Sequence, residues 1–374
     1  MPVQALRFRQ GRFKILHMTD IQDSCDVSPQ ALRLIAAALD REKPDLVVFT
    51  GDQIAGYSPK LKGSGGPENI RKTIRQLLAP LEERGIPFTF TFGNHDEGSA
   101  LPLREQFAVY AASPCCVAGD TPGVSGCGNH HLPIFSEDGG KMVFNLYLLD
   151  SHGNSGLGGY APLEADQVDW YRRTREALKA QNGGRAVPAL LFMHIPVPNV
   201  YDMLRKVKKS KGAVRGFRSR RGEYYALNEA DARKGAVFVE TPCVPDTDAG
   251  LFAAAQEERE LLGMYFGHDH KNAFVGKWQG IDLGYTPGIS FSAYGPGLRR
   301  GVRVIELNEA APEQYETHVL TMRELLGEEA RLPFMTKLMD QTPTSFDDAL
   351  PKLLRLALGL LGLGAVIALL VLFL

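Results

Sequence analysis

The sequence predicts an α/β fold with a partly parallel sheet, and three observations predict it. Short apolar runs alternate with amphipathic stretches in strand–helix–strand–helix–strand order between Phe13 and Phe92, the pattern of right-handed crossovers. These runs, and others further along, close in Gly or a polar residue, as buried strands do where they turn. The 374 residues are 44% hydrophobic and 23% charged, which suffices for the core of one large domain or two modest ones.

Residues 1–12 read as an arm or first strand, followed by a core strand over 13–20 and a polar loop over 21–27. Ser28-Pro29 marks a helix start, and Leu32, Ile35, Ala36 and Leu39 recur at helical spacing through Asp40. A second strand is expected over 45–50, and the Gly/Ser/Lys-rich segment 56–67 is expected to be mobile. Ile70, Ile74, Leu77, Leu78 and Leu81 predict a helix over 69–84, and Phe88, Phe90 and Phe92 a third strand. A helix over 101–112 and a long loop over 113–129 come next. Segments 131–135 and 142–150 form a predicted hairpin about Asp138-Gly139-Gly140. A helix is expected over 163–181, then a strand over 189–194 stopped by the prolines of Ile195-Pro196-Val197-Pro198. A helix over 250–261 leads to the strand Met264-Tyr265-Phe266. Strands at 273–278, 281–285, 290–293, 302–307 and 315–321 are expected to close a second sheet, and 323–351 reads as a polar linker with helical pieces.

The net charge of −1 argues against a general nucleic-acid binder, so any basic surface is local. One such stretch exists: residues 205–221 hold nine Lys or Arg and no acid. It reads as a solvated insert or as a basic flap for anionic lipid headgroups or a phosphorylated substrate. The five cysteines are odd in number and lack any C-x-x-C pair, which fits reduced thiols better than a disulfide framework or a zinc ribbon. The N-terminus has no apolar core of a secretory signal. Residues 356–374 are uncharged and apolar on every face, preceded by Lys352 and Arg355. A bilayer core takes about 20 apolar residues as a helix. The segment 352–374 is therefore expected to be a transmembrane anchor, with the large domain on the cytoplasmic side by the positive-inside rule.

Five strand ends supply a chemically coherent set. Asp20 and Asp52 are anionic oxygen donors, Asn94 a neutral oxygen donor, and His194, His268 and His270 nitrogen donors. Ligands gather outside the carboxyl ends of strands in open α/β sheets. Mixed carboxylate and imidazole donors suit Mn, Fe, Zn or Ni more than Ca. They are too many for one tetrahedral ion and suit two divalent ions about 3.5–4 Å apart sharing a carboxylate. Such a pair can hold a bridging hydroxide, clamp a phosphoryl oxygen and hydrolyse at phosphorus by in-line attack.

Gly51-Asp52, Gly93-Asn94-His95-Asp96, His194 and Gly267-His268-Asp269-His270, in this order, resemble the calcineurin-like metallophosphoesterases. The likeness covers about residues 13–307. Within that family the chain is most similar to the purple-acid-phosphatase-like subgroup, through 126–129, 144–153 and 301–307. The resemblance implies a four-layer α/β/β/α sandwich of two mixed sheets over 1–322, with the dimetal site at one edge. It implies that Asp52 bridges the metals, Asp20 and His270 hold the first, and Asn94, His194 and His268 hold the second. His95 would face the substrate, stabilising phosphoryl charge or protonating the leaving oxygen. Asp96 would orient His95, and Asp269 would support the ligands from behind.

Two departures stand out. The family's first motif is Asp-x-His, whereas this chain has Asp20-Ile21-Gln22; Gln22 can ligate through its amide oxygen but is a weaker donor. Asp23 and His17 are candidate compensators, though His17 within a strand reads better as a packed residue. The Asp and Arg that follow Gly-Asp in protein serine/threonine phosphatases are absent after Gly51-Asp52, and so is the tyrosine of a purple iron site. His130, His131 and His152 read as structural, and Tyr294 and Arg299 as candidate substrate contacts. The expectation is a phosphomonoesterase that uses a metal-bridging hydroxide and His95. The alternatives are a phosphodiesterase and a catalytically weak metal-binding membrane scaffold or regulator.

Overall fold

The computed structural model describes residues 5–344 and 347–354. Alternation along the strands decides the layers. In β1 (Arg12–Met18), Phe13 and Ile15 enter one apolar cluster, and Leu16 and Met18 another on the opposite face. In β2 (Leu46–Thr50), Leu46 and Val48 join the first cluster, Val47 and Phe49 the second. A period of two sends successive side chains to opposite faces, so each strand is buried on both.

Against the outer face lie α1 (Pro29–Glu42), packing Leu34, Ile35 and Leu39, and α2 (Gly66–Glu82), packing Ile74, Leu77 and Leu81. Pro occupies the first turn of α1, but the Ser28 hydroxyl caps nothing; it donates to Gln30 Oε1, and the Ser28 N–H goes to Asp23. Segment 56–67, expected to be mobile, is pinned by the fully buried Leu61 and gives its last residues to α2. The third strand, β3 (Phe88–Thr91), leads into a one-turn helix absent from the sequence expectation, α3 (Asn94–Glu97), and then into α4 (Leu103–Ala111).

The predicted hairpin is β4 (His130–Phe135) with β5 (Met142–Leu148). Then come α5 (Ala165–Gln181), β6 (Ala189–Phe192) and the short α6 (Val200–Met203). The basic stretch folds as β7 (Leu204–Val207), β8 (Val214–Arg215) and β9 (Tyr224–Leu227), an antiparallel sheet in the order β7-β9-β8. The helix expected over 250–261 is only α7 (Leu251–Gln256). Arg259 has φ +57°, and Leu261 already pairs with Ala189 in β10 (Leu261–Phe266).

The late strands correct the expectation of one closing sheet. β11 (Val275–Trp278) and β12 (Ile281–Tyr285) complete a six-stranded sheet, β11-β12-β10-β6-β5-β4. β13 (Gly301–Asn308) and β14 (Tyr315–Thr321) instead extend the first sheet, β14-β13-β1-β2-β3, by antiparallel pairing of β13 with β1. No strand forms over 290–293, because the Ser290 hydroxyl accepts the N–H groups of Ser292 and Ala293 and turns the chain.

Both sheets are mixed. The parallel strands β1, β2 and β3 form one core, and β5, β6, β10 and β12 the other. Between the sheets Phe13, Ile15 and Val48 meet Leu146, Leu148, Phe192 and Tyr265. The outer face of the six-stranded sheet packs Tyr147 and Leu191 on Trp170 and Tyr171 of α5 and Phe252 of α7. Helices thus flank two face-to-face sheets. After β14, α8 (Met322–Leu326) and α9 (Phe334–Met339) return to the domain. Asp340 there makes a bidentate pair with the fully buried Arg300, at 2.6 and 2.8 Å. Of the expected anchor at 352–374, residues 355–374 lie outside the described ones. No helix among the described residues is long and apolar enough to cross a membrane.

Candidate metal centre

The carboxyl ends of β1, β2, β3, β6 and β10 deliver Asp20 and Gln22, Asp52, Asn94 and His95, His194, and His268 and His270 to one locus. The backbone reaches it under strain. Asp20 (φ +53°), Gln22 (+41°), Asp52 (+53°) and His268 (+74°) all sit in the left-handed region, which side chains other than Gly adopt at a cost. Backbone bonds hold the turns together: Gln22 N–H donates to Asp52 O at 2.8 Å, and Ala55 N–H to Asp23 O at 2.8 Å. Gly93 is required by close approach, since a Cβ there would overlap Asp52 Oδ1.

Two groups of potential ligand atoms share one residue. Asp52, His194 and His268 form the first, and Asp20, Asp52 and His270 the second; within each, the atoms lie within 4.8 Å of one another. His194 Nδ1 donates to Thr50 O at 2.7 Å, and His270 Nδ1 to Tyr294 O at 2.8 Å. A carbonyl only accepts, so Nδ1 carries a proton in both rings and it is Nε2 that would offer its lone pair inward to a cation. His194 Nε2 then lies 3.3 Å from Asp52 Oδ2, 3.2 Å from Asn94 Oδ1 and 3.2 Å from His268 Nδ1. His270 Nε2 lies 3.2 Å from Asp20 Oδ1. Buried Asp20 Oδ1 accepts no hydrogen bond.

This donor set fits two cations. Electron-rich atoms converge on two points with too few protons to separate them. The same demand for positive charge appears in the imidazoles. Burial opposes protonation of His194, yet the Asp52 carboxylate overrides it and the ring is pushed up to about 10. Burial likewise opposes protonation of His270, and Asp20 carries it up to about 9. His268, buried beside His194, is pushed down to about 3.

His95 stands apart from the buried donors. Its backbone N–H holds Asp52 Oδ1 at 2.8 Å, while its ring Nε2 is 3.8 Å from Asp52 Oδ2 with the side chain 35% exposed. The ring packs edge-on against Tyr57, 4.8 Å between centroids. Gln22 also reaches the cluster. Its amide nitrogen contacts Asp52 Oδ2 at 2.9 Å and His270 Nε2 at 3.1 Å, while its oxygen accepts from Tyr57 at 3.3 Å. Ligation through that oxygen requires the amide to turn over.

The orienting role expected of Asp96 is corrected. Its carboxylate accepts the backbone N–H of Asp52 (2.7 Å), Gly93 (2.9 Å) and Ile54 (3.1 Å), so it braces the backbone of both motifs instead of the His95 ring. Burial, reinforced by the Asp52 carboxylate, pushes it up to about 7. Asp269 accepts the Cys243 N–H at 3.1 Å and so fixes a neighbouring loop. Neither compensator for Gln22 serves. His17 is locked between Thr50 and Thr286 hydroxyls at 2.7 Å each, and Asp23 binds Ser24, Ser28 and Ser292. His130, His131 and His152 bond to Thr89, Asn145 and Gln167. Arg299 is exposed and lines a cleft that none of the donors line, whereas Tyr294 stacks flat on His270 at 4.3 Å.

Three neighbours escaped the sequence reading. Tyr57 lies five residues beyond Asp52 in the chain and packs over His95. Tyr160, after Gly158-Gly159, sits edge-on to His268 at 4.3 Å and stacks with Phe217 of the basic segment at 5.8 Å. Buried Glu240 accepts the Tyr294 hydroxyl at 2.6 Å behind His270. The glycines flag the two tyrosines; nothing local flags Glu240.

The calcineurin-like phosphoesterase family model matches residues 13–272. The chain is 29% identical over 339 residues to "Probable inactive purple acid phosphatase 14" of Arabidopsis thaliana, covering 80% of this chain and 77% of that protein. It is 27% identical over 336 residues to "Probable inactive purple acid phosphatase 29" of the same plant, covering 80% and 78%. A solved dimetal phosphatase from Danio rerio overlays 83% of this chain and 99% of its own at TM-score 0.48 and 13% identity. The family model spans more than half of the chain and includes every candidate ligand from Asp20 to His270: the chain belongs to the calcineurin-like phosphoesterase family.

Proposed function

We propose that the protein hydrolyses phosphate monoesters at a two-metal centre. The observation that supports this best is the pair of three-residue ligand groups sharing Asp52. Asp20, Asp52 and His270 would hold one ion and Asp52, Asn94, His194 and His268 the other, with Gln22 a seventh donor after its amide turns. When bound, two such ions supply Lewis acidity and an activated water for attack at phosphorus. The chain does the rest. The Thr50 and Tyr294 carbonyls orient two imidazoles, and burial excludes bulk water from the donors. The partly exposed His95 ring would donate a hydrogen bond to the phosphoryl oxygens or a proton to the leaving oxygen. Chromogenic mono- and diesters, compared on Mn-loaded protein, test the reading. Faster monoester turnover that depends on His95 supports it; faster diester turnover moves the assignment to a phosphodiesterase.

The anchor and the basic segment extend the reading to an anionic membrane surface, with the catalytic domain on the cytoplasmic side. The uncharged run 356–374 supports the anchor. The Phe217–Tyr160–His268 stack supports a basic rim at the site. Charge reversal at exposed Arg205, Lys208 and Lys211 should lower turnover on vesicles containing phosphatidylserine but not on a soluble ester. Equal turnover in both assays rejects the lipid reading.

A second reading, a catalytically weak scaffold, is favoured by Gln22 standing where an imidazole is usual and by the names of the Arabidopsis relatives. It requires one tightly bound ion in place of two.

A further inference from the structure

A cleft lined by none of the metal-centre residues opens among residues of β14, Val275 of β11 and the loop residues 233–237. Its volume is about 280 Å³, and Arg233, Lys234, Lys271, Arg299 and Arg303 line it. Glu324 is the one carboxylate in the lining, and its oxygen is committed to capping α8, accepting the N–H and hydroxyl of Thr321. Arg233 is neutralised by Asp282 at 2.6 Å. Lys234 and Arg299 are exposed and have no carboxylate within ion-pair distance among the described residues.

Arg303 is the second, independent observation. It is 3% exposed, yet it too lacks an ion pair among the described residues. Its donors go to the Thr286 hydroxyl (3.3 Å), the Thr317 hydroxyl (3.2 Å) and the Tyr285 carbonyl (2.7 Å). A guanidinium has five N–H groups, so two remain. Burial pulls this group below its ordinary value. The carboxylate that acts on it, Asp282, is already paired with Arg233 and Lys277; a buried cation so incompletely balanced is costly, and an anion in the cleft would supply the missing charge.

We propose that this cleft is a binding site for a small phosphate-class oxyanion, distinct from the metal centre. Arg303 forms its floor, and Lys234 and Arg299 close over the mouth. Arg guanidinium suits the planar, multidentate recognition of such oxygens. The volume exceeds one phosphate ion, leaving space for a small organic part. On the same wall, Lys271 is the chain neighbour of His270 and lies over the Tyr294 ring at 5.3 Å, the ring that stacks on His270. The site therefore adjoins the support of one metal ligand, although its existence does not rest on the proposed reaction.

The test measures binding of inorganic phosphate and of phenylphosphonate, which is not hydrolysed, by calorimetry on the full chain. It is run on the Asp52→Asn variant, which removes the shared metal ligand. One saturable site is expected for at least one probe, and the tighter probe identifies a free ion or an organic phosphate as the natural occupant. Lys234→Ala with Arg299→Ala, both on the surface, should weaken that site roughly tenfold or more. Arg303→Met should abolish it where the variant folds. Absence of saturable binding in Asp52→Asn, or unchanged affinity in the Lys234→Ala/Arg299→Ala variant, overturns the proposal.

Discussion

The Asp96 carboxylate and the Asp52 backbone are joined by a 2.7 Å hydrogen bond, and the same oxygen also takes the Gly93 N–H at 2.9 Å. One buried acid thus ties the turn after β2 to the turn after β3. It sets the spacing of the shared metal ligand against Asn94 and His95. Asp96→Ala leaves three buried N–H groups without an acceptor, each worth about 1–3 kcal/mol. A drop in unfolding free energy of at least about 3 kcal/mol is expected, together with lost metal. Asp96→Asn keeps an acceptor oxygen and should retain the wild-type shape of the pH–rate profile. A profile that loses one limb in Asp96→Asn would show that Asp96 takes part in proton transfer.

His95 offers its backbone to Asp52 and its ring to solvent. The two functions separate on mutation. His95→Ala keeps the backbone bond, so metal content should be unchanged while kcat falls about 10²- to 10⁴-fold. Metal analysis beside steady-state kinetics checks both halves. Loss of metal in His95→Ala would show that the ring is a ligand.

Gln22 presents an amide nitrogen to Asp52 at 2.9 Å, where a stronger donor would strengthen the ion shared by Asp20 and His270. Gln22→His should therefore tighten the weaker of the two metals, on the order of tenfold, by the gain of a neutral imidazole ligand. Titration with a competing chelator reads this directly. Unchanged affinity would place residue 22 outside the coordination sphere.

His130, which belongs to neither ligand group, provides the pH dependence. Its ring is buried between the Thr89 hydroxyl and the Gly128 carbonyl, and burial pushes it down to about 4. The unfolded chain binds the proton near pH 6.5 and the folded chain only near 4. Stability is therefore fully present above pH 6.5 and declines as pH falls towards 4, by at most about 3 kcal/mol from this group. Wild type and His130→Gln, unfolded by denaturant at pH 7 and pH 4.5, should differ less at the lower pH. A constant difference would contradict the assignment.

The site was legible because its residues lie at the ends of strands whose apolar runs are short and sharply closed, as in Leu46 to Asp52 and Leu262 to His268. The helices were legible from spacing, to within a few residues. What escaped depends on long-range pairing. Nothing local says that β13 pairs with β1 while β12 pairs with β10, because both are apolar runs buried on two faces. Ser290 looked like part of a strand, but its hydroxyl turns the chain. Asp96 was misjudged because adjacency to His95 suggested contact, whereas the one-turn α3 directs its carboxylate back onto the Gly93 and Asp52 amides. Glu240 lies 30 residues from His270 in the chain and reaches it through Tyr294 and the Lys271 N–H.

The shared role of Asp52 is the central claim, and metal stoichiometry tests it most directly. Elemental analysis of the purified full chain after Mn loading should find two ions per chain. Asp52→Asn should lose both from tight binding, because both ligand groups contain this carboxylate, and phosphomonoester turnover should vanish with them. One ion in the wild type, or a variant that keeps two, would contradict a centre built around Asp52.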